Sequence, residues 1–293
     1  MTITFYKDPD AIVTSEWLSA HIDDPSMRIF DCTTHLVPEP GSEKPYRVVS
    51  GRTEYLAGHI PGSGYLDLQE DFSMSDSPFG MTLADAGHVA KAFARAGIGD
   101  GTRVILYSRN SMSWATRFWW MLRWLGFDNA AVLDGGFNNW VANGQPVSQT
   151  PTNYPPGSMK YMLRPTLFVG RLDVYDAIEN PALCTICALG PDVFSGNNPR
   201  YGRPGRIPGS VNVPQVSLID PVTYEFLPAT TVAGIFSAAG VERGKGLITY
   251  CGSGIFATLN AFLLHQIGYD DIAVYDNSMS EWGKDVTLPI EVG

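Results

Sequence analysis

The sequence predicts two tandem α/β domains, each a parallel sheet of about five strands flanked by helices. Three observations support this prediction. Short apolar runs alternate with helix-like segments, which is the pattern of strand–helix–strand units. Several motifs occur twice along the 293 residues, at a nearly constant offset. A stretch rich in Pro, Gly, Asn and Ser separates the two copies. We place the first domain at residues 1–145, a linker at 146–163 and the second domain at 164–293.

The elements of the first copy follow one another in the order strand, helix, strand, helix, strand. Residues 27–32, 103–107 and 130–133 are short and apolar, as is typical of buried strands. Residues 85–96 and 114–125 are longer and predict helices. This alternation indicates a parallel sheet that helices cover on both faces.

The composition argues against several classes of protein. Hydrophobic residues make up 44% of the chain, which is enough for full cores. The net charge of −10 argues against a nucleic-acid partner, because such a surface needs basic patches. No stretch approaches the roughly 18 apolar residues of a membrane span, and the N-terminus does not resemble a signal peptide. Four cysteines are too few for a disulfide scaffold, so we expect a cytoplasmic protein with free thiols and no membrane partner.

Repeated motifs identify equivalent positions in the two copies. The sequence G-H-I-P-G that begins at Gly58 recurs as G-R-I-P-G from Gly205. Each copy then has a strand that ends in tyrosine, a helix, and an aspartate that is followed by a tryptophan. The equivalent pairs are Tyr107 and Tyr250, Ser108 and Cys251, Asp134 and Asp276, and Trp140 and Trp282.

Cys251 begins the most informative segment of the chain. An apolar run leads into it, Gly252 and Gly254 follow, and a helix-like segment starts at Ala257. This order predicts a strand, a tight loop and a helix, with the thiol at the carboxyl end of a strand, where α/β sheets place ligand sites. The loop amides and the helix N-terminus would favour a thiolate. We therefore predict a nucleophilic Cys251; the alternative is a buried cysteine that ends a strand.

These motifs resemble the tandem-domain rhodanese-like sulfurtransferases over nearly the whole chain. The resemblance depends on the repeated Ile-Pro-Gly element, on L-D-G-G-F-x-x-W from Leu133, and on Cys251 in the second copy only. The Cys-Gly-Ser-Gly loop is most similar to that of 3-mercaptopyruvate sulfurtransferases. The resemblance implies sulfur transfer from a small anionic donor, 3-mercaptopyruvate or thiosulfate, through a persulfide on Cys251. It implies a thiol or cyanide as acceptor, with a thioredoxin among the candidates, and no metal or organic cofactor.

The resemblance also implies roles for residues around Cys251. Ser253 occupies the position of a loop serine that takes part in a proton relay, and His59 matches a first-domain histidine that joins it. Backbone amides of the loop would hold the charge of the persulfide. The loop residues concerned are Gly252, Gly254, Ile255, Phe256 and Ala257. The alternative for His59 is a turn histidine with local hydrogen bonds, because a relay would require it to reach across the domain interface.

The second domain departs from the family at the positions that bind the donor. Cys187 and Leu189 stand where an aspartate and an arginine are expected, and the region of Val193 has no arginine either. An anionic donor would therefore lose a bidentate partner. We expect Arg203 or Arg206 to supply the positive charge instead; the alternative is that both are solvated loop residues.

Three other functions compete for these motifs. A rhodanese-fold phosphatase would need an arginine where Ala257 stands. A metal or redox site at Cys184 and Cys187 lacks a second ligand pair, and residues three apart on a strand point to opposite faces. A non-catalytic rhodanese-like binding or regulatory protein is the alternative we retain, because the donor-binding arginines are missing. The first copy, which has Ser108 and no glycine after it, is expected to be catalytically silent.

Overall fold

The two halves of the chain each contain a five-stranded parallel sheet with helices packed on it, which confirms the predicted fold class. The computed structural model describes residues 5–39 and 45–293. The strands of the first half are β1 (Ile12–Val13), β2 (Met27–Asp31), β3 (Thr34–Pro38), β4 (Tyr46–Ser50), β5 (Gly64–Tyr65), β6 (Arg103–Tyr107) and β7 (Ala130–Leu133). Its helices are α1 (Ser15–His21), α2 (Arg52–Ala57), α3 (Leu68–Asp71), α4 (Ala86–Arg95), α5 (Ser113–Trp124) and α6 (Gly136–Ala142).

The second half repeats this arrangement with fewer elements. Its strands are β8 (Phe168–Val169), β9 (Leu183–Cys187), β10 (Val211–Asn212), β11 (Gly246–Tyr250) and β12 (Ile272–Tyr275). Its helices are α7 (Arg171–Ala177), α8 (Pro191–Phe194), α9 (Ala229–Ala238), α10 (Phe256–Gln266) and α11 (Ser278–Trp282). Short 3-10 turns occur at Pro9–Ala11, Pro165–Leu167 and Gln215–Leu218.

The two main sheets have the same strand order. It is β1-β7-β6-β2-β5 in the first half and β8-β12-β11-β9-β10 in the second, with every neighbouring pair parallel. The central strands β6 and β11 are buried along almost their whole length, because both faces of a parallel sheet are covered by helices. Residues that follow β6 and β11 therefore lie at equivalent edges of the two sheets.

An antiparallel hairpin, β3–β4, is specific to the first half among the described residues. Its pairing joins Thr34 to Ser50 at the base and Pro38 to Tyr46 towards the tip. Residues 40–44, between the two strands, lie outside the described part of the chain. The hairpin packs against the second half through Tyr46 and Leu36, so it places first-half side chains next to the loop that follows β11.

Helices α5 and α10 form the centre of the interface between the halves. The hydroxyl oxygens of Thr116 and Thr258, which are equivalent residues of the two copies, lie 3.0 Å apart. The rings of Trp119 and Phe262 pack edge to face, with centroids 4.7 Å apart. The contact between Thr116 and Thr258 places equivalent parts of α5 and α10 at the interface.

The predicted linker, residues 146–163, runs along the first half. The Tyr154 hydroxyl accepts a hydrogen bond from the Ile29 backbone, and its ring packs edge-on against Phe30. Further along, the Met162 N–H donates to the Leu125 carbonyl. These contacts are consistent with the predicted boundaries, which stay a prediction.

Membrane-spanning helices and metal clusters are both absent from residues 5–39 and 45–293. No helix there is both long and apolar enough to cross a bilayer. No cluster of three or more His, Cys, Asp or Glu side chains there is arranged to hold a metal ion.

Candidate active site

Cys251 lies directly after β11, at the carboxyl end of the central strand of the second sheet. Its backbone N–H donates to the Ser278 hydroxyl at 3.0 Å, and its carbonyl accepts from the Met279 N–H at 3.1 Å. Helix α10 begins five residues later at Phe256. The order strand, loop and helix is thus as the sequence predicts, and the first turn of α11 fixes the position of Cys251.

Two glycines allow the loop to turn tightly. A side chain at Gly252 would overlap the hydroxyl of Tyr201, which packs against the loop. Gly254 has a φ of +71°, and a side chain there would overlap the carbonyl of Asp276. Gly252 is required because Tyr201 approaches it closely. Gly254 is required because Asp276 approaches it closely and because its φ is positive.

The loop presents backbone N–H groups that the protein itself does not use. The N–H groups of residues 252–257 form no hydrogen bond with another described residue. They precede or begin α10, where the helix dipole is positive. Unpaired N–H groups in this setting are suited to holding an anion.

A small cavity of about 170 Å³ lies over Cys251. It is lined by Leu36, Tyr46, Tyr201, Cys251, Gly252, Ser253, Ile255 and Phe256. The cavity has no room for a water molecule, and Cys251 is only 1% exposed. The structure therefore shows a closed site, in which a donor must displace a lining side chain to reach the sulfur.

Tyr46 reaches this cavity from the first half. Its hydroxyl lies 3.1 Å from the hydroxyl of Ser253, and its ring stands edge-on to Tyr201 with centroids 6.4 Å apart. The guanidinium carbon of Arg200 lies 5.6 Å from the centre of the Tyr46 ring. Burial raises the pKa of the Tyr46 and Tyr201 hydroxyls, so both phenols stay protonated at neutral pH.

A wider cleft, about 960 Å³ in volume, lies between the halves on the other side of Tyr46. Arg47 and Lys284 bring positive charge to its wall, and Glu39 brings negative charge. The side-chain nitrogen of Gln69 is buried there without a hydrogen-bond partner among the described residues. Tyr46 lines both the outer cleft and the cavity over Cys251.

His59 lies within the first half, away from Cys251. One ring nitrogen is 2.6 Å from the Tyr55 carbonyl, and the other is 3.0 Å from the Thr150 carbonyl. His59 is not among the described residues that line the thiol cavity. Ser253 has Tyr46 as its hydrogen-bond partner instead, so the local alternative for His59 fits the structure better than the relay does.

Arg203 and Arg206 use their donors inside the second half. Arg203 donates to the backbone carbonyls of Trp282, Gly283, Asp285 and Leu288. Arg206 pairs with Glu291 and stacks on the ring of Phe194 at 4.4 Å. Neither arginine is among the described residues that line the thiol cavity. Donor binding by Arg203 or Arg206 stays a prediction, and these contacts do not support that prediction.

The equivalent loop of the first half is closed by its own side chains. The Ser108 hydroxyl donates to the Ser111 carbonyl at 2.6 Å, and the Arg109 N–H donates to the Thr33 hydroxyl at 3.1 Å. The Arg109 guanidinium lies 3.6 Å above the Phe137 ring and donates to a backbone carbonyl of the G-H-I-P-G segment. This loop therefore leaves no comparable set of N–H groups around its serine.

Sequence reasoning missed Tyr46 and Tyr201. One observation could have pointed to Tyr46: the chain between the first strand and the Ile-Pro-Gly element is longer in the first copy than in the second. That extra length forms the β3–β4 hairpin. Tyr201 lies in a loop between α8 and β10 and has no comparable sequence pattern.

Known proteins share both the sequence and the fold of this chain. Residues 14–143 and 195–285 match the family described as "Rhodanese-like domain". The 3-mercaptopyruvate sulfurtransferase of Escherichia coli (strain K12) is 32% identical over 282 residues, which cover 95% of this chain and 97% of that protein. The thiosulfate sulfurtransferase of Rattus norvegicus is 30% identical over 282 residues, with 93% and 91% covered. The crystal structure of SseA from Escherichia coli, a 3-mercaptopyruvate sulfotransferase, matches with a TM-score of 0.79 at 29% identity, over 92% of this chain and 98% of that one.

Proposed function

Because this chain belongs to the rhodanese family, with one rhodanese-like domain in each half, we propose that it is a sulfurtransferase that stores sulfur as a persulfide on Cys251. The sulfurtransferase relatives support an enzyme that transfers sulfur. The donors that we propose are those of the relatives, 3-mercaptopyruvate or thiosulfate. The acceptor is a thiol, cyanide or a thioredoxin.

The loading step begins with the thiolate of Cys251. The thiolate attacks the transferable sulfur of the donor, a sulfur–sulfur bond forms, and the bond between that sulfur and the rest of the donor breaks. The electron pair of the broken bond leaves with the donor. A second nucleophile then takes the outer sulfur and regenerates the thiolate, which makes the reaction a two-step covalent catalysis.

One observation supports this proposal most directly: the unpaired N–H groups of residues 252–257. In a persulfide anion, the negative charge lies on the outer sulfur, which is bonded to the sulfur of Cys251. The cavity around it has no room for a water molecule. Fixed N–H groups stabilise such a charge without having to reorganise, as in an oxyanion hole. The equivalent first-half loop lacks this feature, although the fold around it is the same.

The charge of the outer cleft is compatible with an anionic donor. Arg47 and Lys284 line the cleft, whereas the two positions expected to hold arginine, Leu189 and Val193, are buried and apolar. We propose that the donor enters from this cleft and passes Tyr46. Glu39 lies 3.9 Å from Arg47, so the three side chains together carry one net positive charge. With an overall charge of −10, this local positive charge is more important for attracting an anion.

Intact-protein mass spectrometry tests the proposed function. The protein is incubated with 3-mercaptopyruvate or with thiosulfate, without an acceptor, and then weighed. We expect a gain of one sulfur atom, which is lost on addition of cyanide as thiocyanate forms. The Cys251→Ser variant is the control and should gain nothing. A wild-type protein that gains no sulfur from either donor would refute the proposal.

The closed site favours a second candidate, a non-catalytic rhodanese-like binding protein. Cys251 is almost fully buried, and the usual donor-binding arginines are missing. Alkylation by iodoacetamide near pH 6 distinguishes the two candidates, because a reactive thiolate is modified quickly and an inert buried thiol is not. Rapid modification of Cys251, with Cys187 unmodified, supports the enzyme. Burial raises the pKa of the Cys187 thiol to about 12, which makes it a suitable internal control.

A further inference from the structure

The thiol cavity contains few groups that can carry a proton. Apart from the thiol itself, they are the hydroxyls of Tyr46, Tyr201 and Ser253. No histidine, lysine or carboxylic acid occurs among the described residues that line the cavity. Among the described protein groups that line the cavity, apart from the thiol, only a hydroxyl group can therefore supply a proton to the loading step.

The two proposed donors differ in their need for a proton. Thiolate and thiosulfate give a persulfide anion and sulfite, and the electron pair stays on sulfite without proton uptake. With 3-mercaptopyruvate, the carbon–sulfur bond breaks and its electron pair moves to the carbon, which leaves the enolate of pyruvate. That enolate must take up one proton to become pyruvate. The transferred sulfur first keeps the hydrogen of the donor thiol, and the persulfide becomes an anion only when a base takes that hydrogen.

Tyr46 is the best placed of the three hydroxyls to supply this proton. A phenol is more acidic than the aliphatic hydroxyl of Ser253, and the Tyr46 phenol is protonated at neutral pH because burial raises its pKa. The Tyr201 hydroxyl is packed against Gly252 on the floor of the loop. Tyr46 instead hydrogen-bonds to Ser253 at 3.1 Å and also lines the outer cleft. The Tyr46 phenolate left by the transfer then takes the hydrogen of the neutral persulfide, which restores the phenol and leaves the persulfide anion beside the loop N–H groups.

We propose that Tyr46 is the proton donor to the leaving carbon when a carbon-bound thiol such as 3-mercaptopyruvate loads Cys251. Ser253 holds the Tyr46 hydroxyl in position through their hydrogen bond across the domain interface. The first domain thus contributes a reacting group to a site whose nucleophile belongs to the second. This inference rests on the proposed sulfurtransferase function and identifies the donor class for which the site is built.

The test separates the two half-reactions of the Tyr46→Phe variant in single-turnover experiments. Loading by 3-mercaptopyruvate needs the proton, whereas discharge of the persulfide to cyanide forms thiocyanate and needs none. We expect loading to slow by about 100-fold and discharge to change by less than about threefold. Where thiosulfate also loads the wild type, its loading rate should change as little as the discharge does. Intact mass follows the sulfur in every arm.

Two further variants make the result interpretable. Ser253→Ala should slow loading by 3-mercaptopyruvate by about 10-fold, since the phenol remains but loses its positioning partner. Tyr154→Phe is the matched control: its hydroxyl is hydrogen-bonded to the Ile29 N–H and the Gly62 carbonyl, far from the cavity, and both half-reactions should be unchanged.

Several outcomes would overturn the inference. Equal slowing of loading and discharge in Tyr46→Phe would indicate a structural role, and unchanged loading would exclude a role in proton transfer. A wild type that thiosulfate loads and 3-mercaptopyruvate does not would also overturn it, while the proposed sulfurtransferase function would stand. A wild type that neither donor loads would instead refute the function itself. If Tyr46→Phe unfolds, Ser253→Ala provides the same comparison of half-reactions.

Discussion

The two halves of the molecule share the same sheet frame, and next to Cys251 they differ most in the loop that follows the central strand. In each half, a tyrosine at the end of the central strand bonds to the serine that follows Ile-Pro-Gly, and a tryptophan bonds to a proline carbonyl. The equivalent contacts are Tyr107–Ser63 at 2.9 Å and Tyr250–Ser210 at 2.7 Å, and Trp140–Pro146 at 2.8 Å and Trp282–Pro289 at 2.7 Å. These contacts therefore stabilise the same edge of each sheet, whether the strand is followed by Ser108 or by Cys251.

The loop after the central strand is where the halves diverge. Side chains of the first half fill the loop and bond to its backbone, as Thr33 and Arg109 show. The second half has glycines instead and leaves its N–H groups unpaired around Cys251. What distinguishes the second half from the first at this loop is therefore the set of backbone N–H groups that form no hydrogen bond with another described residue, in addition to the cysteine.

A second difference concerns the aspartates that follow the equivalent strands β7 and β12. Asp276 pairs with the fully buried Arg117 of the other half at 2.5 Å and accepts a hydrogen bond from the Leu83 N–H. Asp134, its equivalent, accepts from the Phe226 N–H at 2.8 Å but has no ion-pair partner among the described residues. Burial raises the pKa of Asp134 to about 7. On the Cys251 side, the interface thus has the ion pair of Arg117 and Asp276. On the other side it has Asp134, whose carboxyl group titrates near neutral pH.

Exchanging the residues at the two loops should give the largest effect. Cys251→Ser should lose sulfur loading by more than about 1,000-fold, since a hydroxyl cannot form a persulfide. Ser108→Cys should gain no sulfur at its new thiol, because the Arg109 side chain and the bonded backbone leave no site for the charge. Intact mass after incubation with donor, followed by peptide mapping, measures both. Sulfur found on the introduced thiol of Ser108→Cys would show that a cysteine alone is sufficient and that the free N–H groups are not needed.

Breaking the charged contact should have the next largest effect. Arg117→Met leaves the Asp276 carboxylate largely buried without its partner, and we expect a loss of about 3 kcal/mol in the free energy of unfolding. Urea unfolding measures this loss. Lys7→Met is the control, since it removes an exposed ion pair with Asp270 and should cost less than about 1 kcal/mol. Similar small losses in both variants would contradict the role we give to Arg117.

The titratable contact should produce the smallest effect, visible as a pH dependence. The pKa of Asp134 is higher in the folded chain than in the unfolded one, so the folded state binds more protons between about pH 4 and pH 7. Its contribution to stability is complete below about pH 4 and is lost as the pH rises through about 7. Asp134→Asn keeps the acceptor for Phe226 and removes the titration.

From pH 4 to pH 8, the wild type should lose the stabilisation that comes from the protonated Asp134, whereas Asp134→Asn should not. We therefore expect the free energy of unfolding of the variant to rise relative to that of the wild type by on the order of 3 kcal/mol over this range. Thermal unfolding at several pH values gives this difference. Because the wild type and the variant share all other titrating groups, those contributions cancel. A difference that does not vary with pH would show that Asp134 is ionised in the folded protein throughout this range.

The sequence predicted the parts of the fold that depend on local patterns. The strands at residues 103–107 and 130–133 lie where the apolar runs placed them, and the helices at 85–96 and 114–125 differ by one residue at their ends. The strand–loop–helix around Cys251 could be predicted for the same reason: glycine and the apolar period act over a few residues.

The rest of the site depends on how the halves pack, and a local pattern does not contain that information. The resemblance matched His59 to a histidine that joins the loop serine, with a locally bonded turn histidine as the alternative. In the structure the β3–β4 hairpin brings Tyr46 to Ser253, and His59 bonds to nearby carbonyl groups. Arg203 and Arg206 carry charge close to the site in sequence, yet carbonyl groups and Glu291 engage them. The long-range partner of a charged side chain could not be predicted from its neighbours along the chain.

The cavity over Cys251 has a consequence for the chemical durability of the protein. Thiolates and persulfides are readily oxidised, and the higher oxidation products of cysteine are irreversible. A cavity without room for water also excludes hydrogen peroxide and stray metabolite thiols while the Tyr46 side chain is in place. The first half, which has Ser108 where the second has Cys251, thus shields the proposed nucleophile from oxidants while Tyr46 is in place.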